Sequence, residues 1–151
     1  MKSNRIKQII MEQINYLADE VVMSSVHLSK DYEYFIIPEF PFPKIWHSTP
    51  GIINGKAQIL ICLGDNFPLD PPTGFYIHKS VISSPNGHFL DTAMHGAPKK
   101  FTDSGYWRWY CAFIKPGAWQ PAVYTRPNSW LDGDNLFTFY AVIQEVLSSK
   151  D

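Results

Sequence analysis

Two cysteines, Cys62 and Cys111, are the residues of this chain best suited to nucleophilic chemistry. Cys111 lies in the stretch YCAFIKPGAWQP, eight residues before Trp119 and ten before Pro121. A thiolate is intrinsically nucleophilic, and the thioester it forms remains energetic enough to acylate an amine. Such a thiol has to be exposed, whereas free cysteines are among the most buried of all residues. Cys111 therefore has two readings, nucleophile or small apolar residue of a strand. Cys62 sits inside the uniformly apolar run ILICL and reads as packing alone. Trp119 and Pro121 read as a buried ring and a locked φ that fix the backbone after Cys111.

Other chemistries find less support. The five histidines, His27, His47, His78, His88 and His95, form no pair at metal-ligand spacing, so no metal and no cofactor is expected. His88 and His95 flank the polar stretch before Cys111, where an imidazole can donate or accept a proton, although a loop histidine is ordinarily just solvated. There is no G-x-S-x-G elbow and no phosphate-binding G-x-x-x-x-G-K-[ST] loop. An esterase or a nucleotide hydrolase is not suggested, and a hydrolase or lyase built on the histidines has no motif behind it.

The 151 residues fit one domain, 1–151, with room for a sizeable core. Thirteen Lys and Arg against fourteen Asp and Glu leave a net charge of -1, with no basic run to release counterions, so no nucleic acid is expected as a partner. No stretch approaches the roughly 20 apolar residues that span a bilayer, so no membrane partner is expected. Two cysteines are too few for a disulfide framework, and MKSNRIKQIIMEQ has no apolar signal region. A cytoplasmic location is the expectation.

The elements that must position Cys111 follow from periodicity. Ile6, Ile10, Ile14, Leu17 and Val21 recur at spacings of three and four, predicting an amphipathic helix over 4–22 with Ser3 or Asn4 as its cap. YEYFIIPEFPFP is aromatic and β-branched and then meets Pro38, Pro41 and Pro43, which predicts an edge strand leaving the sheet. AQILICLG reads as a central strand and GFYIHKSV as the next, joined by a proline-rich turn in an antiparallel meander. Residues 83–105 show no period and read as a long covering or functional loop. YWRWYCAFI is a strand or an extended flap. Leu136, Tyr140, Ile143 and Leu147 share a face of a last helix, with Asp132 or Asp134 available to cap it. Helices packed against one antiparallel sheet make an α+β fold.

Three of these features resemble the ubiquitin-conjugating enzyme superfamily. NFPLDPPTGFYI resembles the segment in which an aromatic-proline pair ends a strand, a proline pair follows and an aromatic strand resumes. CAFIKPGAWQPA resembles the active-site region, where the thioester-forming cysteine precedes a Trp-x-Pro by the same eight residues. The order helix, meander, proline turn, flap, cysteine, late helix is that of the UBC-like fold. EFPFP, ILICLGDNFPLDPPTGFYI and WLDGDNLFTF look closest to the prokaryotic branch found with bacterial ubiquitin-like conjugation systems.

That resemblance implies a carrier that accepts a ubiquitin-like protein from an activating enzyme as a thioester on Cys111 and transfers it to an amine of a target protein. It implies the surface of the N-terminal helix as the docking site for the activating enzyme. The family places a His-Pro-Asn tripeptide shortly before the cysteine, its amide stabilising the oxyanion. Here the nearest likeness is Ser84-Pro85-Asn86, twenty-five residues before Cys111, and Asp103 and Ser104 stand at the family's distance. Asn86 folded back, or His88, or His95, are the candidate donors. A catalytically silent UBC-like variant that binds or scaffolds a ubiquitin-like partner is the alternative. The prokaryotic branch also sets a tryptophan directly before the last helix, a place Trp130 fits better than Trp119, and that alignment moves Cys111 off the nucleophile position.

Overall fold

The computed structural model describes residues 2–81, 85, 101, 106–112, 114, 115 and 117–148. The apolar stripe of the N-terminal segment forms helix α1 (Asn4–Tyr16), and Ser3, not Asn4, is its cap, its hydroxyl accepting from the Ile6 amide at 3.2 Å. The helix runs to Val22 as expected, but its last six residues, Leu17–Val22, widen into a π-helical turn that Met23 ends in a left-handed conformation. Ile10, Ile14 and Leu17 of the stripe are buried, Ile6 and Val21 are partly buried against the core, and Ile9, outside the stripe, is buried with them.

Five strands form one antiparallel sheet in sequence order: β1 (His27–Leu28), β2 (Tyr34–Pro41), β3 (Lys56–Cys62), β4 (Gly74–His78) and β5 (Trp107–Cys111). The expected edge strand is β2, and its place is corrected. It lies second, with the two-residue β1 outside it. The strand also runs through its prolines to Pro41, because the ladder with β3 shifts register between Ile37 and Phe40, where Pro38 has no bond to give. WRWYC is a strand, β5, paired with β4 from His78↔Trp107 to Gly74↔Cys111.

Side chains alternate between the faces of the sheet. Phe35, Ile37, Ile59, Ile61, Phe75, Ile77 and Tyr110 point inward to a core completed by α1 and by helix α2 (Leu136–Ser148). The connection after β2 adds Trp46, fully buried, whose indole N–H donates to the Leu147 carbonyl at 2.7 Å and satisfies the end of α2. On the outer face Leu60, Tyr76 and Trp109 form a smaller cluster, with Tyr34, Ile36, Cys62, Phe101 and Trp107 against it.

The cap of α2 differs from the expectation. Asn135 fills that role, its Oδ1 accepting from the Phe137 and Thr138 amides at 2.8 and 3.3 Å, while Thr138 Oγ1 accepts from the Asn135 amide at 3.1 Å. Asp134 instead accepts from the Gln120 amide at 2.7 Å, and Asp132 ends a 3-10 turn, Ser129–Asp132. No helix among the described residues is long and apolar enough to cross a membrane.

Candidate functional site

Cys111 is exposed at the last position of β5. Its neighbours Tyr110 and Ala112 are buried in the main core, so the strand is anchored on both sides while the thiol points outward. That placement sets aside the reading of Cys111 as a packing residue. Cys62, in contrast, is half-buried and packs against the outer cluster, not the main core.

Register brings the two cysteines onto one face. Ile59 pairs with Ile77 and Leu60 with Tyr76, so the same alignment sets Cys62 opposite Gly74, and Gly74 pairs with Cys111. Gly74 is the gap between them. A Cβ there would stand 2.4 Å from Trp109 Cζ2, 2.6 Å from its Cη2 and 2.6 Å from the Tyr110 carbonyl oxygen, so glycine is what lets the indole lie down on the strand. A cavity of about 130 Å³ opens beside this rung, lined by Cys62, Pro71, Pro72, Thr73, Gly74 and Trp109.

The backbone after Cys111 is held from several directions. The Ala112 amide donates to the Thr73 carbonyl at 3.2 Å, continuing the β4–β5 ladder. Trp119, nearly buried, donates its indole N–H to the carbonyl of Pro68 at 2.9 Å, which joins this segment to the turn between β3 and β4, where the Phe67–Pro68 peptide is cis. Farther on, Gly133 permits a close crossing: a Cβ would meet the Ala122 nitrogen at 2.2 Å.

Helix α1 supplies a further restraint. Glu12 accepts four hydrogen bonds, from Asn128 N at 2.8 Å, Tyr124 Oη at 2.9 Å, Trp130 Nε1 at 3.0 Å and Gln8 Nε2 at 3.0 Å. Burial is the largest single influence on its carboxyl and raises the pKa, but the hydrogen bonds together outweigh it and hold the group below its ordinary value. Next to it, buried Gln13 accepts from the first amide of α2, Leu136 N, at 2.8 Å. Arg5 donates to the Tyr124 carbonyl and lies over the ring of that residue.

Of the residues singled out in the sequence, Asn86, His88 and His95 lie outside the described residues, so the structure places none of them relative to Cys111. His47 shares a hydrogen bond with the Phe42 carbonyl at 2.9 Å. His78, at the far end of β4, bonds Ser80 through Nδ1 and is held below its usual pKa by burial and by the Lys79 ammonium. Trp130 stands before α2 as anticipated, and its indole is spent on Glu12. Sequence reasoning missed Gly74, Trp109, Glu12 and Gln13. Two signals were present: a glycine opening a strand, which marks a close approach, and a tryptophan two residues before Cys111, which shares its face.

No protein-family model, characterised protein or solved structure matches this chain.

Proposed function

We propose that this protein is a ubiquitin-conjugating-like carrier of the prokaryotic kind, which takes a ubiquitin-like protein from an activating enzyme onto Cys111 as a thioester and passes it to an amine. The observation that carries the reading is the exposure of the Cys111 thiol at the end of a strand whose flanking residues are buried. It is supported by the order of elements, one helix, an antiparallel meander, the Phe67–Pro68 turn, the cysteine and a last helix. Trp119, eight residues after the cysteine, is tied to that turn, which gives the Trp-x-Pro spacing a physical role. The α+β fold with its five-stranded sheet is common to this reading and to a catalytically silent binder of a ubiquitin-like partner. The lack of an asparagine directly before Cys111 in the sequence favours the silent form.

Alkylation by iodoacetamide, followed by peptide mass spectrometry, together with a charging assay, separates the two. Cys111 reacts quickly in the native protein and Cys62 slowly. In the presence of an activating enzyme, ATP and a ubiquitin-like protein, Cys111 forms a thiol-sensitive adduct, and Cys111→Ser forms an oxyester that resists thiols. Rapid alkylation with no adduct from any such system assigns the binding role instead.

A further inference from the structure

The outer face of the sheet contains a donor with nothing to bond. Trp109 is 2% exposed, and its indole nitrogen has no hydrogen-bond partner among the described residues. Burying an unpaired N–H is costly, and an acceptor brought to it restores that loss. Its place relative to Cys111 is fixed by three features. The two residues are one pleat repeat apart on β5 and share a face. The hydrogen bond from Ala112 N to Thr73 O makes that pair the bonded one, so Gly74 and Cys111 form the adjacent non-bonded pair, whose Cα atoms approach to about 4.5 Å and whose side-chain positions are closest. Gly74 leaves its side-chain position empty, and Trp109 Cζ2 and Cη2 occupy it. Nε1 is two bonds from Cζ2, so the donor belongs to the ring that fills the side-chain position of Gly74, the cross-strand neighbour of Cys111.

Resting on the carrier reading of Cys111, we propose that Trp109 is a catalytic residue: its indole N–H donates to the carbonyl oxygen of the acyl group held on Cys111 and stabilises the oxyanion formed during transfer. The incoming amine attacks the thioester carbon, a C–N bond forms and the carbonyl π pair moves onto oxygen, where the indole N–H receives it. Collapse of that intermediate breaks the C–S bond, Cys111 leaves as thiolate, and the ammonium proton passes to water. The donor is sealed from solvent in the free protein. A cavity lined by Cys62, Pro71, Thr73, Gly74 and Trp109 itself adjoins the ring. This donor comes from the strand that carries the nucleophile, and it serves without an asparagine preceding the cysteine.

The test uses the whole protein and a small probe, the 2-mercaptoethanesulfonate thioester of N-acetylglycine, with charging and discharge to acetyl-lysine amide followed by intact mass. Wild-type protein is charged on Cys111 and discharged by the amine. Trp109→Phe keeps a ring and removes the donor. It slows discharge on the order of 10²-fold, the usual effect of deleting one oxyanion donor, while iodoacetamide alkylation of Cys111, which forms no oxyanion, keeps its wild-type rate. Discharge of the Phe variant at the wild-type rate overturns the donor role and leaves the carrier reading standing. Equal loss of alkylation and discharge shows that Trp109 only holds the strand, and overturns it too. Failure of the wild-type protein to be charged, although alkylated, removes the carrier reading and the donor with it. If the Phe variant does not fold, 3-benzothienylalanine at position 109 replaces the N–H by sulfur in a ring of nearly the same shape and is read in the same way.

Discussion

The two faces of the sheet are built to different rules. On the inner face Phe35, Ile37, Ile59, Phe75 and Ile77 are completely buried, and two polar side chains that reach the core are paired, Trp46 to the Leu147 carbonyl and Gln13 to the Leu136 amide. On the outer face Trp109 leaves a donor unpaired among the described residues, Gly74 gives up its side-chain position to the indole, and Cys111 reaches solvent. The inner face spends its residues on cohesion. The outer face tolerates an unsatisfied group and a missing side chain within one rung of a thiol, and unfavourable features of that kind concentrate where a protein does chemistry.

The largest contrast is between Phe75 and Cys111. Phe75 has no exposed surface and stacks on Tyr110 with ring centroids 5.3 Å apart. Phe75→Ala should lower the unfolding free energy by about 3–5 kcal/mol in urea titrations. Cys111→Ala, on the other face, should change it by less than about 0.5 kcal/mol while removing the thioester adduct. A Cys111→Ala variant that unfolds like Phe75→Ala breaks the distinction between the faces and returns Cys111 to the core.

Gly74→Ala gives the next effect. The new methyl group meets the Trp109 ring and also the Tyr110 carbonyl oxygen, which is backbone and cannot swing aside. A loss of about 1–3 kcal/mol is expected, as for other overpacked sites. The same variant pushes the indole off the rung it shares with Cys111, so discharge from Cys111 should slow although the N–H is still present. A destabilised variant with wild-type discharge would show that the seat of the ring on Gly74 serves packing alone.

Much of this was legible from the order of residues. The stripe Ile6, Ile10, Ile14, Leu17 marks the core-facing side of α1 because helical period alone decides it, and the run AQILICLG marks β3 because a short run with an apolar centre, ended by a turn signal, fits a well-buried strand. The rank of β2 was not legible: two residues, His27 and Leu28, are enough to pair with it, and two residues carry no period. The cap of α2 was misassigned because Asp132, Asp134 and Asn135 all carry a suitable oxygen, and the choice depends on Thr138 answering Asn135 and on Gln120 claiming Asp134. Cys111 was visible by residue type and spacing. Trp109 and Gly74 were not, because what matters about them is a cross-strand pairing, and register between β4 and β5 is set by the whole sheet.

Glu12 carries the smallest predicted effect and ties the comparison to the rest of the molecule. It lies on neither face of the sheet, yet it holds the segment that follows Cys111 through Tyr124, Asn128 and Trp130. Its folded pKa lies below the ordinary value, because its hydrogen bonds outweigh its burial. The sign follows from linkage: the stabilisation is complete above the unfolded glutamate pKa of about 4.3 and disappears as the pH falls through the lower folded value. Glu12→Gln keeps an acceptor oxygen but loses the charge, so it should cost about 0.5–1.5 kcal/mol near neutral pH, the worth of one ordinary hydrogen bond. The urea midpoint of the wild-type protein should therefore fall more steeply on acidification below pH 4.3 than that of the variant, the two curves converging at the acidic end. Parallel curves would mean that the clamp on the post-cysteine segment owes nothing to the carboxylate charge, and that the tyrosine, amide and indole are held by packing alone.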